Sequence, residues 1–214
     1  MRKAFLLFFT VFIFLFAKSQ IKYGVKAGAT INSQTPFRDV DKKNLVAGQA
    51  SIFGIISLNK FFTLQPSVGY YPKGVRIANL TFEDQLGNPI GSGTLNYRFD
   101  YIELSAPFQF LITNATIKLS AGLGPYFSYA ISGKEIWKNI SGNPSNEPTK
   151  GNIPFGNNGY KRFDIGFGGL LSAQIQSKWM ISVNYEIGVD NISSYSTDKV
   201  HNLSAGVTLG YFFK

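Results

Sequence analysis

The chain repeats one pattern along most of its length: apolar residues stand at every second position, and polar turns or loops interrupt the repeats. In residues 203–213, for example, Val207, Leu209 and Tyr211 alternate with serine, threonine and glycine. A period of two belongs to a β-strand with two different faces, and no α-helix repeats with it. The same alternation predicts eight strands, at about residues 21–31, 48–58, 62–70, 101–110, 117–131, 162–175, 179–190 and 203–213.

The connections between these strands alternate in length. Short turns follow the second, fourth and sixth strands, whereas loops at residues 32–43, 73–94, 132–160 and 191–199 follow the others. Outer-membrane barrels have short periplasmic turns and longer extracellular loops, and lipid forces such a sheet to close. We therefore predict an all-β fold, an eight-stranded antiparallel up-and-down transmembrane β-barrel with both termini periplasmic. The loop at 132–160, rich in polar residues, is expected to be exposed and mobile.

Aromatic residues fall where the two membrane interfaces are expected. The turn-side set is Phe62, Phe110, Trp179, Tyr211 and Phe213, and the loop-side set is Tyr70, Phe99, Tyr129 and Phe163. The alternative is a soluble all-β barrel or sandwich, such as an exported lipocalin-like binder, in which the apolar face points inward. The opposite face is here polar and rich in glycine, and only 15% of the chain is charged, which favours a wall that contacts lipid.

The N-terminus is typical of a cleaved secretory signal peptide. Arg2 and Lys3 precede an apolar run at 4–17 that is too short to span a bilayer, and Ser19 offers a cleavage site. The prediction is a signal peptide at 1–19 and one barrel domain at 20–214. Without the three basic residues of the peptide, 18 basic residues face 12 acidic ones, so the net charge falls from +9 to +6. We expect lipopolysaccharide phosphates as the anionic partner and no nucleic acid, since no arginine-rich run is present.

Charged residues on the polar faces are predicted to meet inside the barrel. The expected lumen network consists of Lys22, Lys26, Glu103, Lys118, Arg162, Asp164 and Glu186. Because eight strands enclose only enough space for their own side chains, these charges are expected to pair as a structural plug rather than as an ion path or proton relay.

The sequence offers little catalytic chemistry. Cysteine is absent, and the only histidine, His201, stands three residues from Ser204, so that alternation sends the two to opposite faces. Ser193, Ser194 and Ser196 in the adjoining loop are the other candidate nucleophiles. We expect a non-enzymatic protein without cofactor or metal; the alternatives are a lipid-modifying enzyme of the lipid A deacylase kind or a narrow pore.

Short motifs in a fixed order carry a family resemblance. They include residues 25–28, 64–66, 101–104, 122–126 and 209–213. With them the mature chain resembles the PorT-like outer-membrane β-barrel family of Bacteroidota, although Ser105 replaces the usual proline and Lys214 follows the terminal aromatic residue. The end of the chain is also similar to the C-terminal signal that barrel-assembly machinery recognises, with Leu209, Tyr211 and Phe213 as its residues. The resemblance leaves a role in a secretion or surface complex open, through a protein or glycan partner at the extracellular loops.

Overall fold

The computed structural model describes most of the chain beyond the predicted signal peptide, and residues 1–19 lie outside the described residues. The described ranges are 21–35, 41–83, 86, 89–112, 117–138, 140, 147–157, 159–194 and 199–213. They form the strands β1 Ile21–Thr35, β2 Asp41–Lys43, β3 Leu45–Ser57, β4 Phe62–Leu64, β5 Ser67–Glu83, β6 Pro89–Ser105, β7 Phe108–Leu111, β8 Ile117–Lys138, β9 Thr149–Asn152, β10 Phe163–Ile175, β11 Trp179–Gly188 and β12 His201–Phe212. Over these ranges, no helix has the length and apolar character needed to cross a membrane.

The strands pair into a closed antiparallel circuit. β1 pairs with β3 on one side and with β12 on the other, and β12 continues through β11 and β10 to β8. From β8 the circuit returns through β6 with β7 and through β5 with β4 to β3. Because β4 with β5, and β6 with β7, each occupy one position in the wall, the described strands form an all-β antiparallel barrel with eight wall positions.

Prolines interrupt two of the wall positions without opening the wall. Pro66 separates β4 from β5, Pro107 separates β6 from β7, and Pro125 lies in β8 next to the gap between β6 and β7. Proline has no N–H to donate to a neighbouring strand, but its carbonyl still accepts. Pro107 O accepts from Gln65 N at 3.0 Å, and Pro125 O accepts from Ala106 N at 3.2 Å. The carbonyls thus bridge the gaps between strand segments.

The two faces of the wall have opposite character. Apolar side chains point outward and are exposed, for example Phe167, Leu171 and Val207, whereas Ser182 and Thr208 point inward and are buried. A water-soluble protein rarely exposes a contiguous apolar belt of this extent. The apolar set therefore faces outward, as the sequence predicted for a lipid-contacting wall.

Two predicted loops are largely strand. Of the predicted loop 73–94, residues 73–83 belong to β5 and residues 89–94 belong to β6. The first residues of the predicted loop 132–160 extend β8 to Lys138, and β9 follows. In the same stretch Ile153 is buried, so the prediction of an exposed loop is wrong there. Backbone pairing between β5 and β6 holds the first of these segments as a hairpin despite its glycines. The register shift in this ladder between Ile77 and Leu80 contains Asn79, which has a φ of 53°. Asparagine is one of the few residues that tolerate this backbone conformation.

Aromatic pairs lie near both ends of the wall. Trp179 packs edge-on against Tyr211 with ring centroids 5.0 Å apart, and Tyr129 packs against Phe163 at 5.1 Å. Phe99 departs from the prediction because it is fully buried inside the barrel. It lies two residues from Tyr101 on the same inward face of β6, so the alternation itself places it in the lumen.

Replacing Val207 by arginine should destabilise the barrel far more than replacing Val189. Both valines are 55% exposed on the outer face, but Val207 lies mid-strand in β12 and Val189 follows the end of β11. An arginine at the centre of the bilayer costs about 2–4 kcal/mol, and one near the interface about 0–1 kcal/mol. Reversible unfolding of Val207→Arg and Val189→Arg in lipid vesicles measures the difference. Equal losses for the two variants would contradict a membrane-embedded belt.

Candidate functional site

A buried lysine forms the centre of the lumen. Lys73 Nζ lies 2.8 Å from Glu103 Oε2, 3.1 Å from Glu186 Oε2 and 3.4 Å from Asp164 Oδ2, and its side chain is 1% exposed. Four separate strands, β5, β6, β10 and β11, supply these residues. We refer to Lys73, Glu103, Asp164 and Glu186 as the ion cluster.

Neutral donors surround the carboxylates of the ion cluster. Ser128 Oγ donates to Glu103 Oε2 at 2.8 Å, while Tyr126 Oη and Asn202 Nδ2 donate to Asp164 Oδ2 at 3.2 and 3.0 Å. Gln34 extends this chain by donating to Asn202 Oδ1 at 2.9 Å. Hydrogen bonds to ionised groups are stronger than neutral ones, so these donors stabilise charges that one ammonium group alone does not balance.

An aromatic ring covers the ammonium group. Lys73 Nζ lies 3.7 Å from the ring centroid of Tyr126, within the range of a cation–π contact. Gly166 makes room for this ring, since a Cβ at that position would lie 2.6 Å from Tyr126 Cε1. A glycine at this position of β10 therefore allows the Tyr126 ring to pack over the ammonium group.

Little free space remains beside the ion cluster. Lys26, Tyr71, Tyr126 and Glu186 are among the residues around a cavity of about 30 Å³. That volume holds about two water molecules. The middle of the lumen is thus filled by side chains.

The predicted lumen network divides into three groups. Glu103, Asp164 and Glu186 meet in the ion cluster, and Lys26 lies nearby with its Nζ 5.9 Å from the ring centroid of Phe53. Lys22 and Lys118 line a separate cavity at the end of the barrel that carries the short turns. Arg162 lies toward the other end, where its Nη1 donates to Ala130 O at 2.8 Å and its guanidinium stacks 4.3 Å from the centroid of Phe155.

The central residue of the cluster, Lys73, was not in the predicted network. Pro72 and Gly74 flank it and favour a turn, so the sequence placed it in a loop. The inward face of the predicted third strand, which ends with Gly69, continues through Tyr71 to Lys73 if the alternation is extended. Extending the alternation in this way would have predicted that Lys73 points into the lumen.

Aromatic side chains close the lumen at the loop end. Phe99, Tyr101, Ala130 and Ile153 form a buried cluster against which Tyr97, Phe155 and Tyr160 pack. The segment after β9 is held there because Ile153 N donates to Gly133 O at 3.0 Å and Lys161 N donates to Ile192 O at 2.7 Å. The ion cluster and this aromatic lid are two successive barriers.

The candidate enzymatic residues are not brought together by β12. Ser204 points inward and its hydroxyl donates to Asn32 Oδ1 at 2.7 Å, whereas His201 lies on the opposite parity of the strand. Ser196 lies outside the described residues. Among the residues that are described, no group of three or more His, Cys, Asp or Glu is arranged to hold a metal ion.

The three residues of the predicted assembly signal share the outer face of the last strand. Leu209, Tyr211 and Phe213 are all exposed. Tyr211 contacts Trp179, and Phe213 lies 5.8 Å from Tyr23 between ring centroids. The end of the chain is thereby attached to its neighbours in both directions around the wall.

Replacing Lys73 by methionine should destabilise the barrel by about 3–5 kcal/mol, because three buried carboxylates lose their shared counter-charge. Lys43→Met is the matched control, since Lys43 pairs with Asp41 at an exposed site where an ion pair contributes about 0–1 kcal/mol. Chemical unfolding in vesicles measures both variants. Adding Glu103→Gln to Lys73→Met should restore part of the loss, and no restoration would argue against an electrostatic cause.

A match to a known protein family agrees with this architecture. The sequence model of the family described as "Outer membrane protein beta-barrel domain" matches residues 16–213. No curated protein sequence matches the chain. Similar solved structures include Ail, the attachment invasion locus protein of Yersinia pestis, with 15% identity, 91% of this chain and 99% of that chain covered, and a TM-score of 0.46.

Two further structures are similar at the same level. Neisserial surface protein A has 13% identity, coverage of 89% of this chain and 97% of that chain, and a TM-score of 0.46. OprG from Pseudomonas aeruginosa has 11% identity, coverage of 91% and 97%, and a TM-score of 0.45. Since the family match spans nearly the whole described barrel, the chain belongs to the outer membrane protein beta-barrel domain family and is a transmembrane protein of the outer membrane.

Proposed function

We propose that this protein is a non-enzymatic outer-membrane barrel of the PorT-like type, which binds a partner at its loop end and conducts no solutes. Both termini and the short turns lie in the periplasm in this proposal, and the loop end is extracellular. The observation that carries it is the combination of a filled lumen with a sheet that continues beyond the wall at the loop end.

The three longest strands exceed the length of a membrane crossing by six residues or more. β5 and β6 have 17 residues each and β8 has 22, whereas about 9–11 residues cross a bilayer. Outside the wall they continue as an ordered sheet, in the order β2, β5, β6, β8 and β9. We call this part, from about Arg76 outward on β5 and its paired residues, the overhang. It offers a firm surface for a protein or glycan.

The overhang carries more basic than acidic side chains. Among the side chains that the structure describes there, the basic ones are Lys42, Lys43, Arg76, Lys138 and Lys150, and the acidic one is Asp41. Lipopolysaccharide phosphates are the nearest anions to such a surface in this orientation. The basic surplus favours contacts with lipopolysaccharide around the base of the overhang.

The alternatives have less support in the geometry. A lipid A deacylase-like site needs a nucleophile in contact with a base, and β12 directs Ser204 into the lumen away from the side of His201. A narrow pore needs a continuous path, whereas the ion cluster leaves a cavity of about 30 Å³. We further propose that Leu209, Tyr211 and Phe213 are the residues through which barrel-assembly machinery inserts the chain.

Shortening the overhang should abolish partner binding. Residues 81–92 are replaced by a two-residue Asn-Gly turn, which keeps the pairings between β5 and β6 from Ser67 to Leu80. After mild cross-linking in native outer membranes, we expect the intact protein to co-purify with a partner that the shortened variant lacks. The control is Lys178→Gln at a turn of the other end. A complex that survives the shortening, or no complex with the intact protein, would contradict the proposal.

The purified protein should form no large stable channels in planar bilayers, because charged and aromatic side chains fill the lumen at two levels. Single-channel recording measures this. Stable openings of the unmodified protein would favour the pore.

A further inference from the structure

The turn end of the barrel contains a second lumen cavity, separate from the ion cluster. It has a volume of about 340 Å³, which is within the range of small-ligand sites. Its lining includes three lysines, Lys22, Lys60 and Lys118. We call this cavity the lysine vestibule.

The chain segments that form the turn-side half of the barrel contain no acidic residue to balance the lysines of the vestibule. The turn-side segments 21–27, 50–71, 104–125, 168–183 and 206–213 contain five lysines and none of the 12 Asp and Glu residues. The carboxylates of the described lumen lie beyond, in the ion cluster. Positive charge that gathers in a low-dielectric recess raises the local concentration of anions.

An apolar layer separates the vestibule from the ion cluster. Phe53, Met180 and Phe212 form a buried group, in which the two phenylalanine rings meet edge-on at 5.1 Å. On β1, Gly24 lies opposite both Phe53 and Phe212, and it stands between Lys22 toward the mouth and Lys26 toward the cluster. The vestibule is therefore a recess closed at its inner end.

An unused hydrogen-bond donor also lines the vestibule. Gln174 is 9% exposed, and its buried Nε2 has no hydrogen-bond partner among the described residues. The neighbouring hydroxyls of Ser120 and Ser172 bond to each other at 2.7 Å, and Gln109 is engaged with Thr63 and Gln65. A buried donor without a partner is costly, and a bound acceptor removes that cost.

We infer that the lysine vestibule binds a phosphate-bearing anion at the turn end of the barrel. Lys22 and Lys118 supply positive charge for an anion with more than one negative charge, while Lys60 Nζ lies 5.0 Å from the ring centroid of Phe61. Lysine is a common phosphate ligand that acts as a point charge. The amide of Gln174 adds a directed donor. The same chemistry is offered by a soluble phosphate compound and by the head group of a membrane lipid. This inference concerns the opposite end of the molecule from the overhang and does not rest on the proposed function.

Calorimetric titration with inorganic pyrophosphate, on the full mature chain in nanodiscs of neutral phosphatidylcholine, tests the inference. We expect saturable binding at one site, and the double variant Lys22→Gln with Lys118→Gln should weaken it about tenfold or more. Lys178→Gln is the matched control, because Lys178 lies at the same end, carries the same charge and is not among the residues lining the vestibule. It should leave the affinity within about twofold. Retention of the heat-modifiable gel shift shows that each variant is folded.

Lysine acylation followed by mass spectrometry identifies the source of the phosphate. Protection of Lys22 and Lys118, but not of Lys178, by pyrophosphate in neutral nanodiscs indicates a soluble ligand. The same protection only in nanodiscs that contain phosphatidylglycerol indicates a lipid head group. The inference would be overturned if neither pyrophosphate nor phosphatidylglycerol protected Lys22 and Lys118, or if all three lysines were protected equally.

Discussion

The closed circuit of backbone hydrogen bonds is the constraint on which the rest of the structure depends. An open sheet edge in lipid would leave N–H and C=O groups without partners, at several kcal/mol each. The pairing of β1 with β12 removes that edge, and the proline carbonyls bridge the interruptions in two wall positions. Closure at eight wall positions in turn brings the inward faces close enough for carboxylates of three strands to share the ammonium group of a fourth.

The narrow lumen is divided along its length into zones of different chemistry. From the loop end these are the aromatic lid, the ion cluster, the apolar layer of Phe53, Met180 and Phe212, and the lysine vestibule. Each zone is formed by side chains that two or more strands bring to the same level. Charges of opposite sign are paired in the middle, whereas those near the turn end are not. The lumen thus combines a structural plug with a recess that is open on one side.

The sequence predicted those parts of the fold on which lipid imposes alternation. Val207 and Leu171 must face outward and their neighbours inward, so the alternation predicted both the wall strands and which side chains point to the lipid. The overhang was read as loop because a sheet in water needs no strict alternation, and Gly91 and Gly93 have the local preferences of a turn. Lys73 was missed for the same reason, since Pro72 and Gly74 hid the continuation of β5. The separation of Lys22 and Lys118 from the carboxylates depends on depth in the barrel, which the alternation does not encode.

The bulge in β5 has a mechanical consequence. No loop separates the wall from the overhang, so a load on the tip of the hairpin is transmitted along continuous strands. Of the two register shifts in β5, the one between Ile77 and Leu80 lies nearer the wall, and it interrupts the ladder with β6, so the strand can bend there. Lys73 lies on the wall side of that point. The tip can therefore bend under a bound partner while the charges that seal the lumen keep their positions.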